Sequence, residues 1–204
     1  MLGLFIILYA ISNVDAAKYE KITVAMGSVF GSEKFRIDVN IPTPYIKGEE
    51  VAIKPMEFLK SELSEIISIN QLEKSVSIED NHRGVIIRIL DDILFGSGDA
   101  DLNIRAKEVL NLIAGIIKKI PNDIRVEGHT DDVKIKTNRF PSNWHLSISR
   151  ALNTAYYLIE TEDIDPDKVS VVGYAEYNPI DNNTTAEGRA KNRRVDIIVI
   201  KNTE

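Results

Sequence analysis

The sequence predicts an α+β domain built as a two-layer sandwich, with helices on one face of a mixed sheet. Three observations carry that prediction. Short runs rich in β-branched residues, at 85–90, 124–130, 169–173 and 194–200, alternate with longer segments whose apolar residues recur every three or four positions. The resulting order β-α-β-α-β-α-β packs as two layers around one core. A chain of 204 residues can bury one good core and carry an extension, but not two full domains.

The extension occupies the amino end. Residues 1–11 (MLGLFIILYAI) carry no charge, and as a helix they would cover about 16 Å of a hydrocarbon core about 30 Å thick. This predicts a partial transmembrane helix over 1–12, the outer half of a span. A signal segment is the alternative, with Asp15-Ala16-Ala17 as a loose cleavage site, although no basic residue precedes the apolar run. Over 13–31, Tyr19, Ile22, Met26 and Val29 or Phe30 recur at helical spacing behind the capping residues Ser12, Asn13 and Asp15, which predicts a short amphipathic helix. Residues 32–54 include Ile41-Pro42-Thr43-Pro44 and read as an extended linker.

The domain itself is predicted over 55–204. Pro55 suits a helix start, and Phe58, Leu59, Leu63, Ile66, Ile67 and Leu72 keep a 3.6-residue period to about Lys74, which gives a leading helical segment over 55–79. The core proper, about 84–200, begins with the strand at 85–90 and a loop at 91–98 holding two glycines. A helix over 101–119 turns Leu102, Val109, Leu110, Leu112, Ile113 and Ile116 inward until Pro121-Asn122-Asp123 stops it. Further helices are predicted at 144–160, with Ile148, Ala151, Leu152, Ala155 and Ile159 as its buried stripe, and from Thr184-x-x-Glu187, a capping-box spacing.

Composition excludes several functions. A net charge of −6 opposes nucleic-acid binding, which needs a basic face. With no cysteine and three scattered histidines, the chain has neither disulfides nor a recognisable metal-ligand spacing, so no metal and no cofactor are expected. His129 reads as a strand residue satisfied by a neighbouring loop, and Trp144 as a packing anchor. No nucleophile–base–orienter set emerges, and adjacent Asp131 and Asp132 in extended chain point apart, so catalysis is not expected.

The polar residues of the last third fit ligand holding better. Asp131 follows a strand end, where side chains become accessible. Asn143, Ser147 and Arg150 lie four and three residues apart, on one side of a helix that faces the Asp131 loop. A guanidinium forks onto a carboxylate and an aspartate pairs with an ammonium group, so this set could clamp an amino-acid head group. A plain Asp131–Arg150 ion pair pinning loop to helix is the alternative. Arg189, Asn192 and Arg193 share a face of the last helix beside Gly188, whose presence suggests close approach of a backbone or a ligand.

Four motifs in order carry a family resemblance: Gly128-His129-Thr130-Asp131; Asn143-x-x-Leu146-Ser147-x-x-Arg150-Ala151; Val172-Gly173-Tyr174-Ala175-Glu176 with Pro179; and Gly188-Arg189-Ala190-x-Asn192-Arg193-Arg194-Val195. Together they resemble the OmpA-like peptidoglycan-binding domain. Phe140-Pro141-Ser142-Asn143-Trp144, the Asp131-Asp132 pair and the amino-terminal segment from Tyr9 to Tyr19 extend the resemblance to the MotB-type subunits of flagellar motor stators.

The resemblance implies that Asp131 and Arg150, assisted by Asn143, hold the diaminopimelate of a peptidoglycan stem peptide, with Thr130, Leu146, Arg189 and Arg193 beside the cleft. It implies a non-catalytic wall anchor for an ion-driven stator, a homodimer to which helix 55–74 contributes, a MotA channel partner, a membrane-tethered chain with its domain outside the cytoplasm, and a plug role for about 16–30. The family's ion-carrying aspartate falls upstream of Met1, and no acidic residue precedes Asp15. A general OmpA/Pal-type envelope tether without a motor role is the alternative, although such proteins carry a lipidated cysteine or a barrel.

Overall fold

The computed structural model describes residues 55–201. The partial transmembrane helix at 1–12, the amphipathic segment at 13–31 and the linker at 32–54 lie outside the described residues. Among the described residues, no helix is long and apolar enough to cross a membrane.

Helix α1 spans Pro55–Ile69, with Pro55 at its first position and Leu59, Leu63 and Ile67 buried at four-residue steps. It ends well short of residue 79. Gln71 adopts a left-handed φ of 55°, and the Leu72 amide donates back to the Ile67 carbonyl at 2.9 Å, which closes the helix in a Schellman turn. The chain then reverses into strand β1, Val76–Asn81, pairing antiparallel with β2, Gly84–Leu90, from Val76↔Ile89 to Asn81↔Gly84. Gly84 has φ 146°, and a Cβ there would stand 2.0 Å from the Val199 carbonyl oxygen, so only glycine fits this strand crossing.

Beyond β2 come a one-turn helix α2, Asp91–Leu94, inside the stretch expected to be loop, and helix α3, Ile104–Ile117. Asn103 caps α3 by accepting the Ala106 amide at 2.8 Å, which sets the start at 104 rather than 101. Strand β3, Ile124–His129, helix α4, Asn143–Glu160, strand β4, Val169–Gly173, helix α5, Ala186–Asn192, and strand β5, Arg194–Ile200, complete the domain. Thr185, not Thr184, caps α5 through the Gly188 amide at 3.0 Å.

The sheet order is β1-β2-β5-β3-β4, with β3 and β4 parallel and the other neighbours antiparallel. Alternation in β2 and β5 sends Val85, Ile87, Ile89, Val195, Ile197 and Val199 to the helix-covered face, where they form one core with Leu59, Leu110, Ile113 and Leu158.

Helix α4 departs from its expected orientation. Its buried residues are Asn143, Leu146, Ser147, Arg150, Ala151, Thr154, Ala155 and Leu158, while Ile148 and Leu152 are 39% and 41% exposed. The reason is the spacing of helix and sheet. A Cβ on Gly128 would meet the Ser147 carbonyl oxygen at 2.0 Å, and one on Gly173 would meet the Ile148 nitrogen at 2.8 Å. With the backbones this close, Ser147, Ala151 and Ala155 fit between them and the larger aliphatic side chains turn outward.

Candidate functional site: a charged cleft at the strand ends

Sheet register assembles the cleft. Leu90 at the end of β2 and His129 at the end of β3 both pair with Arg194, the first residue of β5. Asp91 follows Leu90, Asp131 lies two residues past His129, and Arg193 precedes Arg194, so Arg193 emerges between two aspartates. Its Nη1 lies 2.7 Å from Asp131 Oδ2 and its Nε 3.4 Å from Asp91 Oδ1. The Asp91 amide also donates to the Arg193 carbonyl at 3.0 Å.

Arg150 comes up from α4 on the other side of Asp91. Its Nη1 lies 2.8 Å from Asp91 Oδ2, Nε donates to the Asp99 carbonyl at 2.8 Å, and the guanidinium sits 5.0 Å over the Phe95 ring. The Nη1 contact with Asp91 is not aligned as a hydrogen bond, which leaves the η edge directionally unspent. The result is a row of alternating charge, Asp131, Arg193, Asp91, Arg150, along a cavity of about 570 Å³.

All seven residues singled out in the sequence, Thr130, Asp131, Asn143, Leu146, Arg150, Arg189 and Arg193, line this cavity. Their partners differ from the simplest expectation. Asp131 and Arg150 do not pair with each other; Arg193 takes the first and Asp91 the second, because the strand register puts these groups nearer. Asn143 organises the loop after β3: its Nδ2 donates to the Asp131 and Val133 carbonyls at 3.2 and 3.1 Å, and its Oδ1 accepts the Ile135 amide at 3.0 Å. Thr130 is tied by its amide to the Ala175 carbonyl at 2.9 Å. Arg189 donates to the Asn183 carbonyl at 2.8 Å. Ser147 lies outside the cleft, accepting the Ala175 amide at 3.0 Å.

Asn192, fully buried, accepts the Ile180 and Asp181 amides and donates to the Asp181 carbonyl, which fixes the loop ahead of α5. Close approach at Gly188 is to backbone, since a Cβ there would meet the Asn182 carbonyl oxygen at 1.9 Å.

Burial shapes the electrostatics. It raises the Asp91 pKa above the ordinary carboxylate value despite the pull of Arg150 and Arg193, and it lowers that of Arg150 despite Asp91. For Arg193, burial also opposes the charge, but Asp131 and Asp91 outweigh it and its pKa rises.

Asp91, Phe95 and the Gly96-Ser97-Gly98 loop also line the cleft and were not singled out in the sequence. Asp91 carried the same signal as Asp131, a carboxylate directly beyond a predicted strand.

The other face of the sheet holds a second charged group. Glu127, His129 and Asp196 are the potential metal-ligating cluster among the described residues, with ligand atoms within 4.8 Å of one another. Spacing in sequence gave no sign of it, since register rather than a local motif brings Asp196 beside Glu127. Arginines already neutralise both carboxylates: Arg83 lies 2.9 Å from Glu127, and Arg88 and Arg194 each lie 3.1 Å from Asp196. A cation placed there would face three guanidinium groups, so the donor set fits a metal poorly. His129 is not satisfied by hydrogen bonds from a loop. Both ring nitrogens lack a partner, Nε2 lies 3.9 Å from Glu127 and from Asp196, and the loop supplies instead the Tyr174 ring, stacked at 5.2 Å. Burial pushes the His129 pKa down.

Comparison with known proteins gives the family of this fold. Residues 94–193 match the OmpA family. Over 98% of its length the chain is 35% identical to motility protein B of Bacillus subtilis (strain 168), covering 85% of that protein. It is 38% identical over 108 residues to the peptidoglycan-binding protein ArfA of Mycobacterium tuberculosis (strain ATCC 25618 / H37Rv), covering 52% of this chain and 32% of that protein. The periplasmic domain of Helicobacter pylori MotB (residues 78–256) superposes with a TM-score of 0.59 at 30% identity, covering 63% of this chain and 83% of that one.

Proposed function

The chain belongs to the motility protein B family and serves as a peptidoglycan anchor of a flagellar motor stator; we propose that it grips the wall through the cleft between Asp131 and Arg150. The carrying observation is the alternating row Asp131, Arg193, Asp91, Arg150. A diaminopimelate head group presents an ammonium and a carboxylate on one carbon. Its ammonium takes Asp131, and its carboxylate takes the guanidinium edges of Arg193 and Arg150, so one internal ion pair opens and two ligand pairs form. Asn143 and Thr130 hold the loop that aims Asp131, and Leu146 and Phe95 supply the apolar walls.

This is holding chemistry without catalysis. Asp91 and Asp131 each face a guanidinium, and neither is placed as a free general base with a nucleophile. The match along nearly the whole chain supports the motor reading over a general envelope tether. On this reading the chain is tethered in the cytoplasmic membrane by its amino end, works as a homodimer beside a MotA channel subunit, and gives the stator its fixed point. Two modest sites on one dimer raise retention through effective concentration.

The test is pulldown with purified sacculi. Asp131→Asn keeps an oxygen for the Val133 amide, which Asp131 Oδ1 now accepts at 3.2 Å, yet removes the charge; Arg150→Ala removes the cleft's buried cation. Both are expected to lose sacculus binding, with circular dichroism confirming the fold of Asp131→Asn. Unchanged pulldown for both variants would refute the clamp.

A further inference from the structure

Two loops flank the cleft, and a residue outside the cavity joins them. The first, 95–103 between α2 and α3, lines the cavity with Phe95, Gly96, Ser97 and Gly98; the second, 130–142 between β3 and α4, lines it with Thr130, Asp131, Val133, Lys134 and Ile135. Arg139 belongs to the second loop, stands behind its lining residues and reaches across to the first. Its Nη1 donates to Asp99 Oδ1 at 2.7 Å and to Asp101 Oδ2 at 3.1 Å, and its Nη2 to Asp101 Oδ1 at 2.5 Å. One guanidinium thus forks onto two carboxylates of the opposite loop.

Both ends of this clasp are held in place. Thr137 and Phe140 close a tight turn around Arg139, the Thr137 amide donating to the Phe140 carbonyl at 3.0 Å and the Phe140 amide to Thr137 Oγ1 at 2.9 Å. Phe140 is 3% exposed and packs with Ala100 and Leu146 in a small core separate from the main one, and the Arg139 guanidinium lies 5.1 Å over its ring. Phe140, and not Trp144, is therefore the anchor ahead of α4, since Trp144 is 49% exposed and stacked on Tyr177. At the other end, Asp99 Oδ1 also accepts the Ala100 amide at 2.7 Å, and the Asp99 carbonyl is the acceptor that aligns Arg150 Nε.

Stability does not account for the clasp. Arg139, Asp99 and Asp101 each keep at least 42% of the side chain exposed, and exposed pairs contribute little to folding. What the clasp fixes is a distance. The first loop carries the carbonyl that orients Arg150 and the second carries Asp131, so tying the two sets the spacing between the outer members of the charged row.

We propose that Arg139 is a positioning residue for the cleft: it touches no ligand, and by clasping Asp99 and Asp101 it holds Arg150 and Asp131 at the spacing of a ligand's carboxylate and ammonium before the ligand arrives. This rests on the cleft reading above and adds to it a residue that acts from behind the wall. A site ordered in advance avoids the cost of ordering its loops on binding.

The experiment pairs calorimetric titration of the full chain with the tripeptide L-Ala-γ-D-Glu-diaminopimelate and denaturant unfolding of the same samples. Arg139→Ala is expected to weaken the tripeptide Kd about threefold to tenfold, the cost of ordering one or two freed side chains, while the unfolding midpoint stays near that of the wild type. Asp101→Ala should act in the same direction, and it covers the case in which Arg139→Ala fails to fold. The double variant should bind no more weakly than Arg139→Ala, because both changes open one clasp. Arg139→Lys, which reaches one carboxylate but cannot fork across two, should fall between Arg139→Ala and the wild type. Wild-type affinity in Arg139→Ala, losses that multiply in the double variant, or affinity that falls only in step with stability across the four variants each overturns the positioning role and leaves the cleft standing. No wild-type binding of the tripeptide overturns the cleft and the positioning role with it.

Discussion

The sheet carries arginine–carboxylate groups in two places, and they differ in what surrounds them. On the open face, Glu127, Asp196 and Arg194 are at most 3% exposed, and each has a fixed partner: Arg83 in the β1–β2 turn for Glu127, and Arg88 on β2 together with Arg194 on its own strand for Asp196. At the strand ends, Arg193 keeps about a third of its side chain exposed and lies between two aspartates beside a cavity. The same functional groups hold the fold in one place and, on the proposed reading, receive a ligand in the other. Near-complete burial keeps the first group closed; a shared, part-exposed cation next to open space is what the proposed exchange needs in the second.

This contrast can be broken at its strongest point. Asp196→Ala strips Arg88 and the buried Arg194 of their common carboxylate, and should cost about 3 kcal/mol or more in denaturant unfolding, as for other buried pairs that lose one member. The folded fraction should bind sacculi normally. Arg193→Ala should do the reverse. Its side chain is part-exposed and Asp91 keeps Arg150, so unfolding should shift by less than in Asp196→Ala, whereas sacculus affinity should fall on the order of tenfold to a hundredfold. A variant that moved both quantities alike would erase the distinction between the two regions.

The smallest effect sharpens the picture on the open face. Burial depresses the His129 pKa below its ordinary value of 6.5. The stability contributed by the neutral ring is therefore complete above that value and is lost as pH falls through the depressed one. As pH falls below about 6.5 toward that depressed value, unfolding free energy should decline with a slope of up to about 1 kcal/mol per pH unit. His129→Gln, which takes up no proton there, should flatten that part of the profile, and a full slope in the variant would assign it to other groups.

Much of this was legible in the sequence, for reasons particular to each element. The strands at 85–90 and 194–200 are runs of β-branched residues; Asp131 was marked by its place after a strand, and helical spacing put Asn143 and Arg150 on one face together with Ser147, which lies outside the cleft. Strand β1 was not legible: Val76 and Ile78 alternate with Ser77 and Glu79 over too short a stretch, and its edge position tolerates polar residues. The outward turn of Ile148 and Leu152 was hidden because it depends on glycines in two other elements. The partner of Arg150 was hidden because Asp91 reaches it through the pairing of Leu90 with Arg194, a relation between chain segments about a hundred residues apart that no local pattern records.

The row of charges in the cleft also gives the proposed grip a definite response to the medium. Arg193 already holds an anion before anything binds, and a zwitterionic head group brings one charge of each sign, so the exchange leaves net charge unchanged. Ionic screening weakens the internal pair and its replacements together. Sites that release counterions from a polyanion lose affinity steeply as salt rises; a balanced exchange has no such lever. An anchor facing the outside of the cell, where salinity follows the habitat, would keep nearly the same hold from fresh water to brine.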